Sequence, residues 1–211
     1  MNNFKKVLIL APHTDDGELG AGGFTAKLIE QGATVTYAAF STAEESVPDH
    51  LPKNTLKNEV KSATAKLGIT SDNLLIFNYQ VRKLNYARQE ILEQLIKIRN
   101  QNNYDLVLMP SLKDIHQDHA TIAQEGLRAF KNTTILGYEL IWNNLSFDTT
   151  CFVKLETHHI EAKYEALQCY KSQENRNYMS RDFIFSLAKT RGVQIGTIYA
   201  ESFEVVRWVI N

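Results

Sequence analysis

Apolar residues in the first two thirds of the chain fall into two alternating patterns, short continuous runs and helical repeats. Residues 7–10 form an unbroken apolar run, Phe24, Leu28 and Ile29 follow at helical spacing, and residues 33–40 are again rich in β-formers. Together these predict a βαβ unit. Leu56, Val60, Ala63 and Leu67 write a second helix, with Gly68 as its stop, because glycine takes the left-handed conformation that ends helices. A strand over 74–77, a helix around Ile91, Leu95 and Ile98, and a strand over 105–109 continue the alternation. A helix marked by Ile122, Gly126, Leu127 and Phe130 and a strand over 133–136 complete it. Strands covered on both faces read as uninterrupted apolar runs, so the expected class is α/β, a mostly parallel sheet flanked by helices.

After Gly137 the pattern loses regularity. Residues 142–148 read as a loop, 159–170 as a helix and 199–210 as a β-type ending. No linker, repeat or low-complexity tract intervenes. Residues 1–211 are therefore expected to form a single domain, with a core over 1–137. A C-terminal α+β extension over 138–211 would pack against the sheet and wall one side of a pocket.

Composition and charge narrow the function. A chain of 211 residues with 44% hydrophobic content suits one globular domain. The 23 Lys and Arg balance 24 Asp and Glu, for a net charge of -1. No overall field therefore draws nucleic acid or an anionic membrane, and a small molecule is the expected partner, with homo-oligomer formation left open. The opening MNNFKKVLIL places two lysines before an apolar run as a signal peptide does, but the run stops early and no small-residue cleavage pattern follows. It reads better as a buried first strand, and the expected location is cytoplasmic. No apolar run approaches the roughly 20 residues of a membrane-spanning helix. Cys151 and Cys169 lack CxxC spacing, so neither a disulfide framework nor a thiolate zinc site is expected.

Two segments carry chemistry. APHTDDGELGAGG, residues 11–23, follows the first strand, and DIHQDHA, residues 114–120, follows the fourth. Open α/β sheets place ligands at the carboxyl ends of their strands. In the order 3-2-1-4-5 these two strands are neighbours at the reversal of winding, so the segments would face each other across one crevice. Three of the six histidines, His13, His116 and His119, lie there beside Asp15, Asp16, Asp114 and Asp118. Hydrolytic zinc is held by three His or carboxylate ligands with a position left for water, and two histidines and one aspartate satisfy that count. A further aspartate can take the water's proton, and a spare histidine can act on the substrate oxygen or leaving nitrogen.

Taken singly, a histidine after a strand or an aspartate pair before a helix is a hydrogen-bonded or capping residue. The joint pattern at two strand ends is what points to a site. His50, His158 and His159 lack such company and read as surface or helix-start residues. Gly17, Gly20, Gly22 and Gly23 do not make a dinucleotide loop, because His13, Asp15 and Asp16 fill the turn that a pyrophosphate needs. These glycines read as allowing close packing between helix and loop.

At this point the chain resembles the PIG-L/LmbE family of zinc-dependent N-deacetylases, bacillithiol-pathway-like enzymes among them. The family's signatures are PHPDDE-like and HxDH-like. KYEALQCYKSQ (163–173) and IGTIYAESF (195–203) look like its later blocks. The resemblance implies a Rossmann-like fold and one zinc ion per chain, Zn2+ bound by His13, Asp16 and His119. It further implies Asp15 as general base, His116 at the oxyanion or the leaving amine, and Asp118 orienting His116. The implied reaction is removal of an N-acyl group, acetyl above all, from an amino sugar such as an N-acetylglucosaminide. Thr14 departs from the family's proline and Gly17 from its glutamate, with Glu18 one place later, and Leu56 and Lys57 stand where an arginine is common. Arg82, aligned with an arginine of bacillithiol-pathway-like relatives, is the expected substrate contact. Arg88, Trp142, Arg176 and Tyr178 are further candidates. A metal-dependent phosphoesterase and a catalytically silent metal- or sugar-binding module are the alternatives. Too few ligands for a two-metal clamp argue against the first, and Gly17 favours the second.

Overall fold

A computed structural model describes residues 4–210. One seven-stranded sheet runs in the order β3-β2-β1-β4-β5-β7-β6. Its strands are β1 (Lys6–Ala11), β2 (Thr34–Ala39), β3 (Leu74–Ile76), β4 (Leu106–Pro110), β5 (Thr134–Tyr138), β6 (Cys151–Leu155) and β7 (Tyr199–Arg207). The first five are parallel, and β7 pairs antiparallel with both β5 and β6. The helices are α1 (Asp16–Glu30), α2 (Thr55–Lys66), α3 (Arg88–Gln101), α4 (Gln117–Ala129), α5 (Thr157–Leu167) and α6 (Arg181–Val193).

The apolar runs are unbroken because each strand feeds two cores. In β1, Val7, Ile9 and Ala11 face the layer of α1, α2, α5 and α6, while Leu8 and Leu10 face that of α3 and α4. The same alternation divides Leu106 and Leu108 from Val107 and Met109 in β4. Burial on both faces is the parallel-sheet condition, and it makes the expected α/β class the observed one. Gly68 ends α2 with φ +89°, as the helix-stop reading requires.

The last third departs from expectation. Residues 138–210 do not only pack against the sheet; they extend it with β6 and β7. Neither β6 nor α6 was legible, because β6 alternates weakly at the sheet edge and α6 buries only Ile184, Ala188 and Gly192.

α1 carries a break that this extension repairs. Ala21 has non-helical angles (φ −144°, ψ 20°), which frees amides from the helical ladder. The Gly23 and Phe24 amides donate to Glu201 of β7 at 3.0 and 2.7 Å, and Lys163 of α5 donates to the same carboxylate at 2.7 Å. Both charged groups are buried. The blocks at 163–173 and 195–203 therefore meet in one ion pair that caps an internal helix break. At Gly20 a Cβ would stand 2.3 Å from the Tyr138 ring, so only glycine lets α1 lie this close to the sheet.

Breaking a buried pair by removing one partner leaves an uncompensated charge and costs about 3–5 kcal/mol. Lys163→Met should lower stability by that order in chemical denaturation at neutral pH. Adding Glu201→Gln should recover part of the loss. Equal stability of Lys163→Met and the parent would contradict the pairing.

Candidate metal centre and active site

The segments after β1 and β4 meet as expected, because the two strands are neighbours. α1 and α4 begin here, so both positive helix ends point at the cluster, a setting that favours carboxylates. Asp16 and Asp118 occupy the first turns of these helices.

Three donor atoms converge. His13 Nδ1 lies 3.2 Å from Asp16 Oδ2, His119 Nε2 lies 3.3 Å from the same oxygen, and the two nitrogens are 3.2 Å apart. The outward nitrogen of each ring faces a carboxylate: His13 Nε2 meets Asp118 Oδ2 at 2.9 Å, and His119 Nδ1 meets Asp114 Oδ2 at 2.7 Å. A carboxylate can only accept, so each ring donates outward and, in its neutral form, turns its lone pair inward. Three electron-rich atoms then share one point with no donor among them, and a cation is what such a point binds. Tetrahedral ligands about 2.0–2.1 Å from zinc stand about 3.3–3.4 Å apart, which matches the observed triangle.

The ring-proton argument also separates His116 from the ligands. Its Nδ1 accepts the Asp118 amide at 3.2 Å as the N-cap of α4, so in the neutral ring the proton sits on Nε2, which has no lone pair to give. Burial, with His119 and His13 nearby, holds His116 below its usual range and keeps it neutral. The cluster of Glu30, His158 and His159 fails the same test. His159 Nδ1 accepts the Glu156 amide at 3.0 Å and its Nε2 donates to Glu30, so the pair is a helix-start arrangement.

Asp118 therefore differs from expectation. Its carboxylate orients His13, not His116, and also accepts the amides of Arg82 (2.6 Å) and Leu84 (3.1 Å). What holds His116 is the Asp118 backbone amide, with Asp114 Oδ1 accepting the His116 amide at 2.8 Å. The spacing HxDH brings Asp118 near both rings, and only the direction of its side chain decides between them. Asp114, noted in sequence but given no role, is the partner of His119.

Asp15 is the N-cap of α1 yet makes no side-chain capping bond. Burial and the adjacent Asp16 raise its carboxyl to about 6. Behind it, the Tyr37 and Tyr170 hydroxyls stand 2.9 and 2.7 Å from the Thr14 carbonyl and also reach Glu18, so the single proton of each is shared between the two acceptors. Burial pushes Glu18 up to about 8.

A pocket of about 230 Å³ opens over the cluster. His13, Asp15, Asp16, His116 and His119 line its floor, and Arg82, Trp142, Arg176 and Tyr178 its rim. Trp142 and Tyr178 stack at 4.1 Å with an interplanar angle of 14°. Arg82 holds a positive φ of 65°, a costly conformation for a residue with a Cβ. Arg88 is not among the residues lining this pocket and pairs with the buried Glu125 at 2.7 Å.

Fold and cluster define an α/β protein with a candidate three-donor metal site at the sheet's switch point. Residues 8–130 match the PIG-L family, described as GlcNAc-PI de-N-acetylase, and the chain belongs to that family. It is 25% identical over 177 residues to the uncharacterized deacetylase YaiS of Escherichia coli (strain K12), covering 81% of this chain and 93% of that protein. It is 31% identical over 137 residues to the diacetylchitobiose deacetylase of Thermococcus kodakarensis, covering 61% of this chain and half of that longer protein (50%). The solved structure of GalB, the 4-carboxy-2-hydroxymuconate hydratase of Pseudomonas putida KT2440, superposes with a TM-score of 0.80 at 20% identity, covering 98% of each chain. That likeness concerns the fold alone. Among the described residues no helix is long and apolar enough to cross a membrane.

Two outcomes follow from the proton positions. Against the cost of burial, the neighbouring carboxylates raise His13 to about 9 and His119 to about 10 in the metal-free protein. These rings hold protons at neutral pH that an incoming ion must displace, so affinity falls as pH falls. Calorimetry in buffers of different ionisation enthalpy should count one to two protons released per ion at pH 7; none released would contradict the ligand set. Asp118→Asn should weaken metal binding about 10- to 100-fold, as loss of an imidazole's carboxylate partner does. Unchanged affinity would return Asp118 to His116.

Proposed function

We propose that this chain is a zinc-dependent hydrolase that removes an N-acetyl group from a soluble amino sugar of the N-acetylglucosaminide class. The observation that carries the reading is the arrangement around the donor triangle. An uncommitted carboxylate, Asp15, and a neutral imidazole N–H, His116, line the same pocket as the three ligands. The two-nitrogen, one-oxygen set of His13, Asp16 and His119 suits zinc. Family membership and the deacetylase relatives support amide cleavage over hydration, which the shared fold would also accommodate. One such triangle, with no second candidate ion site beside it among the described residues, disfavours a two-metal phosphoesterase.

When bound, the ion supplies Lewis acidity for the attacking water and the acyl oxygen. Asp15 takes the water's proton as the oxygen adds to the acyl carbon. His116 donates from Nε2 to the acyl oxygen as negative charge grows there. Cleavage of the C–N bond passes a proton, held by Asp15 or His116, to the departing nitrogen and leaves acetate and a free amine. At the rim, the stacked Trp142 and Tyr178 offer a flat apolar surface for a sugar ring. Arg82 and Arg176 offer bidentate donors for an acidic aglycone. We further propose that residues 1–211 act as one domain, since the pocket draws on both 1–137 and 138–211.

The test is amine release by metal-loaded protein from N-acetylglucosamine, its malate glycoside, diacetylchitobiose and N-acetylated amino acids. Asp15→Asn should keep the metal and lose about 10²- to 10⁴-fold in turnover. His116→Ala should likewise lower turnover more than metal content. Preference for the amino acids, or near-parental turnover of metal-loaded Asp15→Asn, would overturn the substrate class or the base respectively.

A further inference from the structure

The floor of the pocket rests on a group of side chains that the chemistry above does not use. Tyr37 of β2, Tyr170 just beyond α5 and Glu18 of α1 are all buried and meet at the Thr14 carbonyl. That carbonyl belongs to the peptide unit joining Thr14 to Asp15, so whatever fixes its plane fixes the Asp15 N–Cα bond from which the carboxylate is carried. It has two lone pairs, and the two hydroxyls reach it at 2.9 and 2.7 Å. Glu18 stands behind both, bonded to Tyr37 and, at 3.0 Å, to Tyr170. The Gly17 amide donates to the Tyr37 hydroxyl at 3.1 Å from the other side.

Gly17 is what admits this group. A Cβ there would stand 2.5 Å from Tyr37 Cε2 and 2.7 Å from its hydroxyl oxygen. Any side chain at position 17 would displace the ring, so the departure from the signature glutamate goes with a tyrosine in the space it would need. Asp15 itself lacks the capping bond that would otherwise hold its side chain. Its aim depends on its backbone.

We propose that Tyr37 and Tyr170, admitted by Gly17 and backed by Glu18, are positioning residues that aim Asp15 at the attacking water through the Thr14 carbonyl. The clamp joins three distant parts of the chain, so the direction of the base is set only when β2, α1 and the C-terminal segment are assembled. The inference rests on Asp15 as the base. A misdirected base impairs the chemical step while leaving the ligands and the rim in place, so the effect belongs in kcat and not in KM. Misplacement of about 1 Å can cost 10²-fold in rate.

Tyr37→Phe and Tyr170→Phe keep the rings and remove only the hydroxyls. Each should lower kcat about 10-fold or more, with KM within about twofold of the parent and metal content unchanged. Gly17→Ala, which displaces Tyr37 without removing its hydroxyl, should show the same split. The double Tyr variant should cost less than the product of the singles, because both act on one carbonyl. A fall in melting temperature with kcat unchanged would make the group structural only and overturn the proposal. A matching loss of metal or rise in KM would do the same. Near-parental turnover of metal-loaded Asp15→Asn would instead sink the assignment of the base, so the two failures are distinguishable.

Discussion

Two buried carboxylates decide the character of this site. Asp114 and Asp118 take the outward ring protons of His119 and His13, and that fixes where the inward lone pairs point. With Asp16 added, the interior holds a triangle of electron-rich atoms, of which Asp16 Oδ2 also accepts the His13 amide at 2.8 Å while the two ring nitrogens face one another across 3.2 Å. Without an ion the nearest substitute is a set of extra protons, which is why both histidines are raised so far above their ordinary range. The demand for a cation is thus a consequence of hydrogen-bond direction, not of the number of histidines. The same criterion removes His116 from the ligands and removes the Glu30, His158 and His159 cluster altogether.

Asp118 also ties the centre to the pocket rim. It is fully buried and accepts three hydrogen bonds, one from a candidate ligand and two from the loop that carries Arg82. The positive φ of Arg82 persists because that carboxylate holds its amide. Geometry at the metal and at the rim is therefore not independent. A similar dependence runs through the last third of the chain, where Tyr170 grips Thr14 and the Lys163–Glu201 pair caps the break in α1. Residues far apart in sequence converge on the start of the first helix, where Asp16 is the candidate ligand and the N-cap Asp15 the candidate base.

The scaffold does not by itself choose the reaction. A hydratase shares this fold across nearly the whole chain, and what discriminates among chemistries is the set of groups at the sheet's switch point. Here those groups include a carboxylate relieved of capping and an imidazole held neutral with its N–H available. That combination suits addition of water to a polarised acyl carbon.

Much of this was determined by the sequence alone. Apolar runs that feed two cores can only be strands covered on both sides, so the five parallel strands were legible, while their order, on which the meeting of residues 11–23 with 114–120 depends, entered as a condition that the sheet meets. The clustering of His13, Asp15, Asp16, His116 and His119 was legible too. The edge strand β6 and the half-exposed α6 were not, because weak burial leaves weak periodicity. Nor was the side-chain direction that gives Asp118 to His13 and Asp114 to His119, since Asp118 adjoins His119 in sequence while the ring it meets lies 105 positions away. Gly17 read as a departure that weakened the motif, and only the packed Tyr37 ring shows what it makes room for. Spacing along a chain determines which groups are brought together. Which of them touch is decided by rotamers and hydrogen bonds that exist only once distant segments have packed.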